Sequence, residues 1–116
     1  MSAQVAKAQV DRALEQVRRD LADRFPARFS AAFWYGAVDL DPAHLVVWIL
    51  LTDDPEALPE WLFPDRHRPV DEGIARMRDL VVAGLAREGW PDADHARIGF
   101  ESDARVAAGG GWHYFR

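Results

Sequence analysis

Residues 28–52, RFSAAFWYGAVDLDPAHLVVWILLT, decide the fold. Phe29 to Asp39 is rich in aromatic and small residues, and His44 to Thr52 in Val, Ile, Leu and Trp, which is the composition of two strands. Between them Asp39-Leu40-Asp41-Pro42-Ala43 carries turn chemistry, with Pro42 pre-setting φ after an aspartate able to accept backbone N–H groups. The stretch reads as an antiparallel hairpin. A four-residue loop puts Phe33 and Tyr35 on one face with Val46, Trp48 and Leu50. Trp34 and Val38 then share the other face with Leu45, Val47, Ile49 and Leu51. A one-residue slip exchanges these partners. In either register the second strand is apolar on both faces, so it is covered on both sides or has one face waiting for a partner.

Helices flank the hairpin. Val10, Leu14, Val17, Leu21 and Phe25 recur at steps of four and three, which predicts a helix over 3–24 closed by Pro26. A second helix is predicted over Val70 to Glu88. Its stripe is Val70, Ile74, Met77, Val81 and Leu85, with Asp71 and Glu72 in the first turn and Gly89 and Pro91 at the stop. Residues 53–69 form a connector with four prolines, in which Asp53 or Asp54 caps a short turn begun at Pro55. Beyond the second helix, His95–Val106 and Gly111–Arg116 alternate like two further strands joined through Ala107-Ala108-Gly109-Gly110. The expected fold is α+β: one domain over 1–116, a two-layer sandwich of a four-stranded antiparallel sheet with both helices on one face, in the order α-β-β-α-β-β. The face away from the helices then carries either the aromatic set Phe33, Tyr35 and Trp48 or the aliphatic set around Ile49.

At 116 residues the chain buries roughly two thirds of its unfolded surface without staples. It has no cysteine, hence no disulfide, thiolate metal site or cysteine nucleophile. The longest apolar run, Leu45 to Leu51, falls far short of the ~20 residues of a membrane span. The N-terminal MSAQVAKAQVDRALEQ lacks the apolar core of a secretory signal, so a cytoplasmic location is expected.

Charge placement is more informative. The chain holds 19 acids against 14 bases, a net charge of −5. Seven of the acids (Asp39, Asp41, Asp53, Asp54, Glu56, Glu60, Asp65) fall between positions 39 and 65, where there is no Lys or Arg. Acids in turns are ordinarily solvated caps. Should these converge, they form an anionic patch beside aromatic surface that attracts a basic partner and repels nucleic acid. Trp61, in Pro-Glu-Trp-Leu-Phe-Pro, either folds back as a lid or engages a partner.

Catalytic motifs are lacking. The four histidines form no H-x-x-x-H or H-E-x-x-H pattern, and Asp39, Asp41 and His44 at the hairpin turn are the weak candidates for a metal site. His67, between Arg66 and Arg68, sits where a cation is repelled. His113, on the expected last strand, reads as a sheet-surface residue rather than a general base. The hydroxyls Ser2, Ser30, Ser102 and Thr52 stand in no G-x-S-x-G context, and Gly109-Gly110-Gly111 precedes no helix that would cradle phosphate. No cofactor is expected.

Phe100-Glu101-Ser102, Val106, Gly110-Gly111-Trp112, Tyr114 and the final Arg116 resemble the F-E-S…V…G-G-x-W-x-Y ending of a group of small uncharacterised bacterial proteins. Asp103-Ala104-Arg105 departs from the Q-E-T of that pattern, and the likeness covers about the last seventeen residues. By analogy with other small acidic α/β proteins, the resemblance implies an immunity partner of a bacterial toxin. The leading expectation is a non-enzymatic inhibitor or immunity protein that meets a basic partner through Asp53, Asp54, Glu56, Glu60 and Trp61, with Phe33, Tyr35 and Trp48 as the apolar part of the surface. The alternatives are a small-ligand binder or metal-assisted hydrolase with a pocket under the Trp61 segment, and a plain homodimer.

Overall fold

A computed structural model describes residues 3–65 and 70–115. Ser2, His67 with its neighbours Arg66 and Arg68, and Arg116 lie outside the described residues, and so do the readings placed on them.

Helix α1 (Ala3–Arg24) buries Val10, Leu14, Val17 and Leu21. Strand β1 (Phe29–Tyr35) follows and pairs antiparallel with β2 (Val46–Leu51), with Phe33 opposite Trp48 and Tyr35 opposite Val46. The connection spans residues 36–45, longer than the four residues expected, but both lengths are even and the face assignment is therefore kept. Gly36, at φ +125°, lets the loop close, since a Cβ there would lie 2.0 Å from the His44 carbonyl oxygen. Asp41 caps the short 3₁₀ turn Pro42–His44 by accepting from the Ala43 N–H at 2.9 Å.

Helix α2 (Glu72–Arg87) is capped by Asp71, whose carboxylate accepts from the Ile74 N–H. It buries Ile74, Met77, Val81 and Leu85, and it approaches α1 at Gly84, where a Cβ would stand 2.5 Å from Val17. Strand β3 (Arg97–Ser102) then lies parallel to β2. Both helices bury their stripes in one core with Val47, Ile49, Leu51, Ile98 and Phe100.

The expected four-stranded antiparallel sheet of order α-β-β-α-β-β is not formed. The sheet has three strands in the order β1-β2-β3, antiparallel on one side of β2 and parallel on the other. Two physical causes account for the difference. Helix α2 carries the chain back across the sheet, and such a crossover delivers a parallel strand. The alternation read through to Val106 is cut at Ser102, whose hydroxyl accepts from the Arg105 N–H and caps helix α3 (Asp103–Ala108). The three alanines and one arginine of that helix are good helix formers, a preference that overrides a weak period-two pattern. Gly110 and Gly111, at φ +97° and +67°, then turn the chain so that Gly111–Phe115 forms a 3₁₀ turn instead of a strand.

The face opposite the helices carries Phe33, Tyr35, Val46, Trp48 and Leu50, together with Arg97, Gly99 and Glu101 of β3. Gly99 is the neighbour of Trp48, and a Cβ at this position would lie 2.6 Å from the indole. The ring therefore occupies the space that a side chain on β3 would take. Gly99→Ala should destabilise the protein by about 1–3 kcal/mol through overpacking against a ring that cannot move. A urea midpoint equal to that of the unsubstituted protein would show that the ring gives way.

Candidate functional site

Trp48 is fully buried beneath rings from two distant segments. Trp61 meets it edge-on at 5.3 Å and Phe63 at 5.0 Å from the connector, and Phe115 lies at 4.9 Å from the C-terminal turn. Phe33 packs against Trp112 at 5.2 Å and Phe115 at 5.1 Å, and Tyr35 faces Trp112 at 6.0 Å. The aromatic face is thus roofed by the chain itself, with Trp61 as part of the roof. Trp61 and Trp112 remain 37% and 46% exposed on its outside.

The roof is fastened to one buried carboxylate. Glu101 is 0% exposed and accepts four hydrogen bonds. Ser102 N–H and Arg105 Nη1 donate to Oε1, and Trp61 N–H (3.0 Å) and Tyr114 O–H (2.8 Å) donate to Oε2. Arg105 also donates to the carbonyls of Pro55 and Leu58. Leu62 and Phe100 exchange backbone hydrogen bonds, N to O in both directions, which lays the connector along the outer edge of β3. Trp61 sits at φ +52°, a left-handed conformation that costs a non-glycine residue of the order of 1–2 kcal/mol. Its N–H is held in that geometry by Glu101. Burial and the Glu101 hydrogen bond push the Tyr114 phenol well above its ordinary range, because both disfavour a second negative charge there.

A second ionic group holds the start of α2. Arg28 donates Nε and Nη2 to Asp53 at 2.8 Å each, and Nη1 and Nη2 to Asp71 at 2.9 and 2.8 Å. Hydrogen bonds from this guanidinium lower the Asp71 pKa, and the Ile74 and Gly73 N–H groups act in the same direction. The same carboxylates raise that of Arg28.

The acids of residues 39–65 do not converge. Asp39 and Asp41 lie in the loop before β2, and Asp53, Asp54 and Glu56 lie beyond its other end, six residues or roughly 20 Å away. Asp53 is bound to Arg28, and Asp54 caps a turn by accepting from the Glu56 N–H at 2.9 Å. Glu60 is exposed and accepts from Tyr114 O–H at 3.1 Å, which places it beside Trp61. At the weak metal candidates, Asp41 is a cap and the His44 Nδ1 contacts the Ala37 carbonyl at 3.3 Å. Among the described residues no group of three His, Asp or Glu side chains is arranged to hold a metal ion. No described helix is long and apolar enough to cross a membrane. His113 lies exposed in the terminal turn, not on a strand.

Sequence reasoning passed over Glu101, Arg105 and Arg28. The spacing of Glu101 and Arg105, four apart, was a readable signal, but it crosses a strand-to-helix junction where no helix was expected. No protein-family model, curated protein or solved structure matches this chain.

Two predictions follow from these ionic groups. Tyr114→Phe should cost about 1–2 kcal/mol by removing one hydrogen bond to a charged acceptor, whereas Glu101→Ala should cost about 3–5 kcal/mol by leaving Arg105 without its partner. In a difference titration at the phenolate absorbance, the phenol removed by Tyr114→Phe should ionise above pH ~10. Ionisation in the ordinary tyrosine range would contradict the buried contact with Glu101.

Arg28→Met tests the other group. A depressed folded-state pKa at Asp71 contributes stability that is present above the unfolded value of about 3.9 and is lost as pH falls through the folded value. The gap in melting temperature between the unsubstituted protein and Arg28→Met should therefore be widest near neutral pH and narrow as the solution is acidified below that unfolded value. A gap constant over that window would mean that Arg28 acts through packing alone.

Proposed function

We propose that this protein is a non-catalytic interaction protein that binds a basic protein partner through the outer surface of the aromatic roof, centred on Trp61 and Trp112. The observation that carries this reading is the presentation of Trp61. The chain holds a bulky non-glycine residue in a left-handed conformation over Trp48, fixed by a buried carboxylate, and leaves more than a third of its surface in water. Exposed tryptophans on a rigid support are the residues that dominate binding energy at interfaces.

Charge defines the partner. The connector that carries Trp61 has no Lys or Arg between Asp53 and Asp65, Glu56 and Glu60 are exposed along it, and Arg105 is turned inward to Glu101. Such a rim selects lysine- or arginine-rich protein surfaces and repels nucleic acid. A second copy of the chain fits less well, since a two-fold axis through the patch would set Glu60 against its own kind. The C-terminal resemblance adds the more specific reading of an inhibitor or immunity protein of a bacterial toxin. The residues that carry it, Glu101, Ser102, Trp112 and Tyr114, are those that build and fasten the roof.

The test is affinity capture from the native lysate with immobilised protein, compared with Trp112→Ser and with the double variant Glu56→Lys, Glu60→Lys. Asp53 is left intact because its substitution would break the Arg28 cluster. The expected result is a basic protein retained at about 50 mM salt and released at about 500 mM, as Debye screening requires. Its retention should fall at least about thirtyfold with Trp112→Ser, the loss of a hot-spot side chain. Capture indifferent to salt and to both variants, or no basic protein captured at all, would overturn the proposal.

A further inference from the structure

The aromatic face has a second feature at its other end, where the roof stops short. A cavity of 420 Å³ opens beside Trp61, within the ~300–1,000 Å³ range of small-molecule sites. Tyr35, Val46 and Arg97 stand side by side in its lining, one from each strand, and Trp61, Phe63 and Ile98 contribute apolar surface.

Two donors in this lining have no acceptor among the described residues. Arg97 is the first residue of β3, and its guanidinium makes no ion pair or hydrogen bond among the described residues, unlike Arg28, Arg78 and Arg105. The Tyr35 hydroxyl accepts from Trp48 Nε1 at 3.0 Å and has no acceptor for its own proton among the described residues. The negative group in the same lining, Asp65, is tied to Arg78 Nε at 3.3 Å. A cavity with aromatic walls, an exposed guanidinium and a phenolic O–H that have no acceptor among the described residues suits an anionic oxygen pair on an apolar body.

We infer that this cavity binds a small carboxylate with an aromatic body, its carboxylate on Arg97 and Tyr35 and its ring over Val46 between Trp61 and Phe63. The carboxylate would take a bidentate bond from the guanidinium and a single bond from the hydroxyl, and the ring would displace water from the mouth of the cavity. The site shares Trp61 with the proposed partner surface but not Trp112, Glu56 or Glu60, which do not line it.

The experiment is a titration of the ¹⁵N-labelled protein with phenylacetate, and in parallel with its uncharged analogue phenylacetamide. Phenylacetate should give saturable amide shifts at Tyr35, Val46, Arg97 and Ile98 with a Kd of the order of 1 mM or tighter, and the amide should bind at least about tenfold more weakly. Arg97→Met should reduce phenylacetate affinity by about tenfold or more. Arg97→Lys should retain part of it, since a point charge replaces the bidentate fork. Glu56→Lys, at an exposed position outside the lining, should leave phenylacetate binding unchanged while weakening partner capture, which separates this site from the proposed interface. The absence of saturable shifts up to about 10 mM, equal affinity for the amide, or an unchanged Kd in Arg97→Met would each overturn the inference.

Discussion

A carboxylate removed from water costs several kcal/mol unless its oxygens are answered, and the rest of this structure depends on how Glu101 is answered. Its donors come from β3 itself, from α3, from the connector and from the C-terminal turn. The connector, the C-terminal turn and the adjoining α3 are thereby fixed to one point on β3. Glu101 thus does for the roof what the hydrophobic stripe does for the helices. Arg105 extends the same logic, since its remaining N–H groups take up the Pro55 and Leu58 carbonyls that the connector's bend leaves without strand partners.

The roof exists because β2 is apolar on both faces. A central strand of this composition needs a layer on each side, and the two long helices cover one side only. Prolines and aromatic residues supply the other. The connector meets the outer edge of β3 at Leu62, which pairs the Phe100 N–H and carbonyl there. At the opposite edge Arg18 Nε donates to the Ala32 carbonyl at 2.8 Å and blunts β1 in the same sense. Gly99 is the counterpart of Trp48 in this arrangement: the indole reaches across the sheet only where the neighbouring strand carries no side chain.

Both long helices, the two hairpin strands and the two-faced character of β2 were legible from periodicity and turn chemistry. The course of the C-terminal third was not. From Arg97 to Val106 the alternation of Ile98, Phe100 and Val106 with polar or small residues suits a strand, and only a capping hydroxyl at Ser102 divides it. A serine in a strand pattern carries no mark that it will cap. Glu101 was illegible for a related reason, because a charged residue in an alternating pattern is assigned to water. Its burial follows from Tyr114, Trp61 and Arg105 arriving together, a tertiary coincidence that no local window contains. Trp61 was read as either lid or contact, and the structure makes it part of the roof with an exposed outer side.

The acidic cluster shows how a sequence-level charge run divides in space. Asp53 is engaged by the Arg28 side chain, while Asp41 and Asp54 cap backbone N–H groups, so three of the seven carboxylates serve the fold itself. Glu56 and Glu60 remain exposed toward the Glu101 end of the aromatic face, and Arg97, without an ion pair among the described residues, stands at the Val46 end, four residues or roughly 13 Å away along β3. One roofed face therefore presents opposite charge at its two ends, with Trp61 between them. Under the two proposals a basic macromolecule would be drawn to one end and a small anion to the other, and because both engagements would use Trp61, occupancy of the cavity would change the surface a partner meets.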